Sequence, residues 1–490
     1  MKDKQQEGRP KARRKKAKNA MVNKQIILVA YIFAGLFLAL MVYIGKFIAF
    51  DSQDVITNSY NKRQDTFAKK VIRGNILSSD GKVLAESKVN EKGEVTRSYP
   101  YGNMYAHVVG FALRGKSGIE SIANYNLLTS NANIFERIYN DLTEEKNIGD
   151  NIVTTLDSRL QKVAYDALGS RKGAVVVLEP DTGKILAMVS KPDFNPNEID
   201  SIWDSITKED ASGNSTLLNR ATQGLYPPGS TFKTLTTLQY IKEHKNLSHF
   251  SYECSGKTTV NGVVINCYNN SVHGKLDLQK ALAKSCNGAF AKEGAKLNQN
   301  SFYRLANDFL FNQELPYQGA YKKSSYVLNN KSDKGEIPQT MIGQGKTQIT
   351  PLHNALIFST IANGGVMMKP YLVDRIENYN GDLVKKYSPK VAKKVISTQE
   401  AQVMTGLLKG VVDEGTASSL KGLNMNIAGK TGSAEFETGK AAHAWFVGFA
   451  PSDNPKVVVA VVVENVGTGS TYAVPIAKQI FAAYQKIEKE

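Results

Sequence analysis

YPPGSTFK, Tyr226 to Lys233, places Pro-Pro-Gly directly before a serine that has a lysine three positions on. Such a serine is either a helix cap or a nucleophile activated by its lysine. The same spacing recurs at Ser59, Ser79, Ser205 and Ser418, so spacing alone carries little. Context singles out Ser230: a rigid turn precedes it, and Phe232, Leu235, Leu238 and Ile241 follow at the interval of a buried helix. A helix N-terminus presents unpaired N–H groups and the positive end of its dipole, both of which favour a developing oxyanion. Positions i and i+3 share a face, so the Lys233 amine can approach the Ser230 hydroxyl.

A general base must be neutral, whereas lysine at its ordinary pKa of ~10.4 is almost wholly charged near neutral pH. Burial and a second nearby cation both depress that value. The expected second cation is Lys430, in AGKTGSAE (Ala428 to Glu435), where Gly432 lets an extended peptide lie close along a strand edge. A third triplet, Ser285-Cys286-Asn287 in ALAKSCNGAF, offers a hydroxyl that can relay a proton and an amide that can position a substrate carbonyl. Each triplet has a decoy. Lys116-Ser117-Gly118 imitates the lysine triplet, and Ser452-Asp453-Asn454 imitates the serine one but reads as a turn between strands.

Around these motifs the chain alternates strand and helix signals. From Asn151 an extended piece leads into an amphipathic helix with Leu160, Val163, Ala164 and Leu168 on one face. GAVVVLEPDTGKILAMVS reads as a hairpin turning at Pro180 to Gly183, HAWFVGFA and KVVVAVVVEN as two more strands, and Val474 to Ile487 as a closing helix. Strands drawn from both ends of residues 151–490, with helices between, predict one α/β domain around a mostly antiparallel sheet. Residues 50–150 predict a small α+β membrane-proximal module, a pedestal. Asp51 to about Ala68 is helix-compatible, and VIRGNILSSDGKVLAES turns at Ser79-Asp80-Gly81.

Residues 1–24 hold ten Lys or Arg against two acids, and Ile26 to Gly45 then runs twenty residues without a charge. At ~1.5 Å per residue that run matches a bilayer core of ~30 Å and exceeds the apolar run of a cleaved signal, so 25–46 is expected to be one uncleaved membrane anchor. The basic flank predicts an N-terminus on the cytoplasmic side and everything after Lys46 outside. The tail holds nearly half of the net charge of +17, and no nucleic-acid motif accompanies it. With 42% apolar and 22% charged residues the rest is globular, and disorder is expected only in the first two dozen residues. Of three cysteines, Cys254 and Cys267 flank a hairpin with Asn261-Gly262 at its turn and are either a disulfide or two half-buried thiols. The cysteines do not show metal-site spacing, and no metal or cofactor is expected. His273, His443 and Glu435 are read as structural, because the lysine already supplies the base.

Three weak triplets in a fixed order make a strong signal. The chain resembles the superfamily of penicillin-binding proteins and serine β-lactamases, and more closely the class B penicillin-binding proteins. The likeness extends over RGNILSSDGKVLA (Arg73 to Ala85), SGIE (Ser117 to Glu120), NRATQGLYPPGSTFK (Asn219 to Lys233), IGQGKTQITPL (Ile342 to Leu352), IANGG (Ile361 to Gly365) and HAWFVGFAP. It implies a transpeptidase domain over 151–490 with helices on both faces of its sheet. It also implies a D,D-transpeptidase that cross-links peptidoglycan stem peptides through a serine acyl-enzyme and is inhibited by β-lactams. In that resemblance Ser230 attacks the penultimate D-Ala, Lys233 is its base, and Ser285 relays the proton. Asn287 binds a substrate amide, Lys430 and Thr431 hold the terminal carboxylate, and the N–H groups of Ser230 and Ser433 form the oxyanion hole beside Gly432. Substrate strands on lipid-linked precursors and a SEDS-type membrane glycosyltransferase are the implied partners. A D,D-carboxypeptidase, a β-lactamase and a β-lactam sensor are the competing readings. Against the sensor, the expected cytoplasmic part is only two dozen basic residues, with no room for an effector domain.

Overall fold

The computed structural model describes residues 10–47, 70–210, 215–329, 331–437 and 439–489. The polar run from Asp51 to Ala68 lies outside them. The chain divides into two units, 1–63 and 64–490. In the first, one helix runs from Pro10 to Lys46, and Lys24–Lys46 is long and apolar enough to cross a membrane. The basic segment from Pro10 onward is thus helical rather than disordered. Ala, Lys and Arg are good helix formers, and an apolar helix already nucleated downstream is cheaply extended.

In the second unit five strands form an antiparallel sheet in the order Ala428–Ala434, His443–Ala450, Val457–Val463, Gly173–Leu178 and Ile185–Lys191. Three of these strands are buried at every residue, so both faces are covered. That burial explains why VVVAVVV is a continuous apolar run rather than an alternating one. Helix Pro351–Ala362, buried on nearly all sides, packs on the central strands, as does helix Gly469–Ile487, while helix Ser158–Leu168 packs on Gly173–Leu178 and the edge strand Ile185–Lys191. The closing helix starts at Gly469, five residues earlier than its apolar pattern suggests, because Thr468 caps it by accepting from the Thr471 N–H. The sheet begins and ends in sequence far apart, which leaves the Lys430 strand as an edge.

A six-stranded sheet takes strands from both sides of residue 150, in the order Leu383–Lys386, Val373–Glu377, Asn151–Thr154, Ile76–Leu77, Val83–Val89 and Val95–Ser98. Asn151–Thr154 is its joint, antiparallel to 373–377 and parallel to 76–77. Beside this sheet the fully buried Glu120 of SGIE accepts from Arg73 Nε and, at 2.7 Å, from Arg97 Nε. Burial alone would raise the Glu120 carboxyl; the two guanidiniums more than reverse that and hold it below its usual value.

Candidate active site

Gly229–Phe232 form a 3₁₀ turn that runs straight into the α-helix Lys233–Glu243. Ser230 caps neither, since no side-chain cap bond is made at either start. It is the partly exposed residue of a segment otherwise buried from Tyr226 to Tyr240. Gly229 adopts φ +53°, and its N–H donates to the carbonyl of Gly343 at 2.9 Å. A Cβ on Gly343 would lie 1.9 Å from the Gly229 oxygen, so IGQGK backs the serine turn at a distance only glycine permits. Thr231 Oγ donates to Pro228 O and accepts from Asn354 Nδ2, which locks the turn from behind.

Lys233 is fully buried and points at the second triplet. Its ammonium donates to Ser285 O and Asn287 Oδ1, each at 2.7 Å, and to Ser285 Oγ at 3.2 Å. Ser285 Oγ also accepts from Lys430 Nζ at 2.9 Å. One serine hydroxyl therefore stands between two lysines that are 197 positions apart in sequence but meet here, both completely buried. Ser285 sits at φ +55°, a left-handed conformation that costs a non-glycine residue ~1–2 kcal/mol. That turn follows helix Leu278–Ala283 and precedes helix Asn287–Gly294, and it aims carbonyl and hydroxyl at one amine. Asn287 is held from its other end, where Nδ2 donates to Asn266 O at 2.8 Å, leaving a second hydrogen and a second lone pair for a substrate amide.

Among the described residues no carboxylate acts on either lysine. Burial brings the Lys233 ammonium down to about 8, with the nearby cysteines pulling the other way. Burial also pushes Lys430 well below its ordinary value, and the charge of Lys233 adds to it. Burial and a second cation at Lys430 were together the expected cause of the low Lys233 value; burial is the main one, and the charge effect falls on Lys430.

Lys430, Thr431, Gly432 and Ser433 lie on the edge strand paired with His443–Ala450. Thr431 Oγ1 is 2.5 Å from Thr416 Oγ1, a residue the sequence gave no reason to select. Gly432 packs under Pro228 O and Trp445 Cβ, and Ser433 touches the Gly229 position, so the edge strand borders the serine turn. The Trp445 indole N–H donates to Pro227 O at 3.1 Å and ties the two together. Tyr226 OH and Arg220 Nε both donate to Glu464 Oε1, a buried brace that only the fold reveals.

Glu435 is exposed, in keeping with its reading as a loop residue. His443 is buried, stacks on Phe436 and accepts from the Asn465 N–H, a structural role. His273 differs: its Nδ1 lies 3.3 Å from Cys254 Sγ. All three cysteines are free and fully buried rather than half-buried, with Cys254 and Cys267 sulfurs 3.7 Å apart, too far for a disulfide of ~2.05 Å.

A family model described as the penicillin-binding protein transpeptidase domain matches residues 173–482, and one described as the penicillin-binding protein A dimerisation domain matches 73–152. The peptidoglycan D,D-transpeptidase PbpA of Mycolicibacterium smegmatis is 32% identical over 88% of this chain and 91% of its own. Penicillin-binding protein A of M. tuberculosis, solved as an imipenem acyl-enzyme complex, superposes with a TM-score of 0.77 at 32% identity, covering 86% of this chain and 100% of that one. The D,D-transpeptidase domain of a peptidoglycan glycosyltransferase from Eggerthella lenta gives 0.76 at 31% identity over 86% and 99%. With the serine turn, the buried lysine pair and these matches together, the chain belongs to the penicillin-binding protein transpeptidase family, among the class B penicillin-binding proteins.

Proposed function

We propose that this protein is a serine D,D-transpeptidase that cross-links peptidoglycan stem peptides and is acylated by β-lactams. The observation that carries the reading is the hydrogen-bonded line from Lys233 through Ser285 Oγ to Lys430. In the neutral amine, two hydrogens of Lys233 remain on Ser285 O and Asn287 Oδ1, and the lone pair is left for a hydroxyl proton. Lys233 takes the Ser230 proton as the serine oxygen attacks the penultimate D-Ala carbonyl. The N–H groups of Ser230 and Ser433 stabilise the oxyanion, and Ser285 passes a proton to the departing D-Ala amine. Lys430 and Thr431 hold the terminal carboxylate, whose arrival favours the charged form of Lys430, and Asn287 holds a backbone amide. An acceptor amine on a neighbouring stem then displaces Ser230. One amide is exchanged for another, so no external energy source is required outside the membrane.

The helix Lys24–Lys46 serves as a single-pass anchor, with the basic N-terminus inside and residues 64–490 outside. Lipid-linked precursor strands supply donor stems, and a SEDS-type glycosyltransferase is the proposed glycan-forming partner. Residues 50–150 act as pedestal and 151–490 as catalytic domain. The full chain in detergent, given a stem peptide ending in D-Ala-D-Ala and an acceptor amine, should yield a cross-linked dimer. Free acid alone, hydrolysed lactam, or a stable acyl-enzyme without peptide product would each sink the reading in favour of a carboxypeptidase, a β-lactamase or a sensor.

A further inference from the structure

The three cysteines and His273 come from four separate segments, yet their donor atoms lie within 4.8 Å of one another. Cys254 ends strand Tyr252–Cys254, Cys267 follows strand Val263–Asn266, His273 precedes strand Gly274–Leu276, and Cys286 caps helix Asn287–Gly294. The sulfur of Cys267 is 3.7 Å from that of Cys254 and 3.7 Å from that of Cys286. Tetrahedral zinc with Zn–S bonds of ~2.3 Å sets its sulfurs ~3.8 Å apart. No disulfide pair is picked out, because Cys267 is equidistant from two partners and any bridge would strand a third buried thiol.

We propose that Cys254, Cys267, His273 and Cys286 bind one zinc-class divalent cation in a tetrahedral site of three thiolates and one imidazole. Soft sulfur donors with one imidazole select such an ion over magnesium or calcium. Backbone groups around the sulfurs suit thiolates. The N–H of Ala289 donates to Cys286 Sγ at 3.5 Å, at the positive end of helix Asn287–Gly294. His273 is the half-buried ligand, beside exposed Ser271 and Val272, so an ion can enter from solvent on that side. The Gly274 to Cys254 pairing holds His273 next to the first thiol.

The site occupies the middle of the Ser285-Cys286-Asn287 triplet. A bound ion would hold Cys286 and thereby fix the left-handed Ser285 turn on one side and Asn287 on the other, the two residues that hold Lys233. This role rests on the transpeptidase reading; the metal site itself does not.

The full chain, purified in detergent without chelator, should carry one zinc per chain by inductively coupled plasma mass spectrometry. Anaerobic exchange for cobalt(II) should give the intense visible bands of a tetrahedral thiolate site. His273→Ala should lose the ion, while His273→Cys, with four thiolates, should keep it. Chelation or His273→Ala should slow acylation by fluorescent penicillin ~10- to 100-fold, and His273→Cys should restore it, which a merely destabilised fold would not do. Protein grown with ample zinc that contains no metal and stays colourless with cobalt would overturn the site, as would a stoichiometric Cys254–Cys267 disulfide by peptide mapping. Metal bound with acylation unchanged by its removal would overturn the positioning role. Metal content is read without catalysis, so its failure leaves the transpeptidase reading standing, and an inactive zinc-loaded protein would do the reverse.

Discussion

Lys430 reaches Lys233 through a single atom, Ser285 Oγ, 2.9 Å from one ammonium and 3.2 Å from the other. Burial disfavours the charged form of both amines, and the hydroxyl between them can pass a proton along the line. This arrangement makes the proton path at Lys233 a property of three residues.

The pH dependence of acylation follows from Lys233. Its folded value of about 8 lies below its unfolded value, so the neutral base is scarce at lower pH and dominant above. The second-order rate of penicillin acylation should rise about tenfold per pH unit below pH ~8 and level off above it. Stopped-flow labelling across that range checks this; a flat profile would assign the base elsewhere. The same depression adds stability as pH rises from about 8 toward ~10.4, where the unfolded chain binds the extra proton.

Lys430→Met keeps the burial and the length but removes an amine from Ser285. Acylation should fall by ~10²- to 10³-fold, and the pH profile should move only slightly upward, because burial rather than Lys430 is the main cause of the Lys233 shift. A large upward move, measured on the same profile, would restore the charge of Lys430 as the main cause.

Gly343→Ala tests the backing of the serine turn. The new Cβ would press within 1.9 Å of the Gly229 oxygen at a residue with φ +79°, displacing Gly229 and Ser230 together. Gly262→Ala has a similar φ of +80° with nothing within 4 Å, so it carries the backbone strain alone. Both should lose ~1 kcal/mol of stability or more, but only Gly343→Ala should also slow acylation. Equal acylation rates in the two variants would show that IGQGK does not position Ser230.

Glu120→Gln leaves Arg73 and Arg97 buried without their counter-charge. Thermal or denaturant unfolding should report a loss of ~3–5 kcal/mol. In the wild type the Glu120 contribution is full above its ordinary pKa of ~4.3 and disappears as pH falls through its lower folded value. A variant as stable as wild type at neutral pH would remove the clamp from the account of the fold.

Local structure was legible in the sequence by itself: the long apolar helix from its uncharged run, the hairpins from turn residues and apolar runs, and the turn at Ser230 from Pro-Pro-Gly before a helix. Each depends on neighbours a few residues apart, where backbone geometry and residue type decide the outcome. The meeting of Lys233, Ser285 and Lys430, the Gly343 support, the Thr416 contact and the sheet that crosses residue 150 depend on contacts between distant segments. So does the cysteine and histidine cluster, which chain spacing argued against because its donors come from four segments. Burial, which lowers the Lys233 ammonium to about 8, is created only when the sheet and helices close around it, since an isolated strand or helix leaves the amine in water.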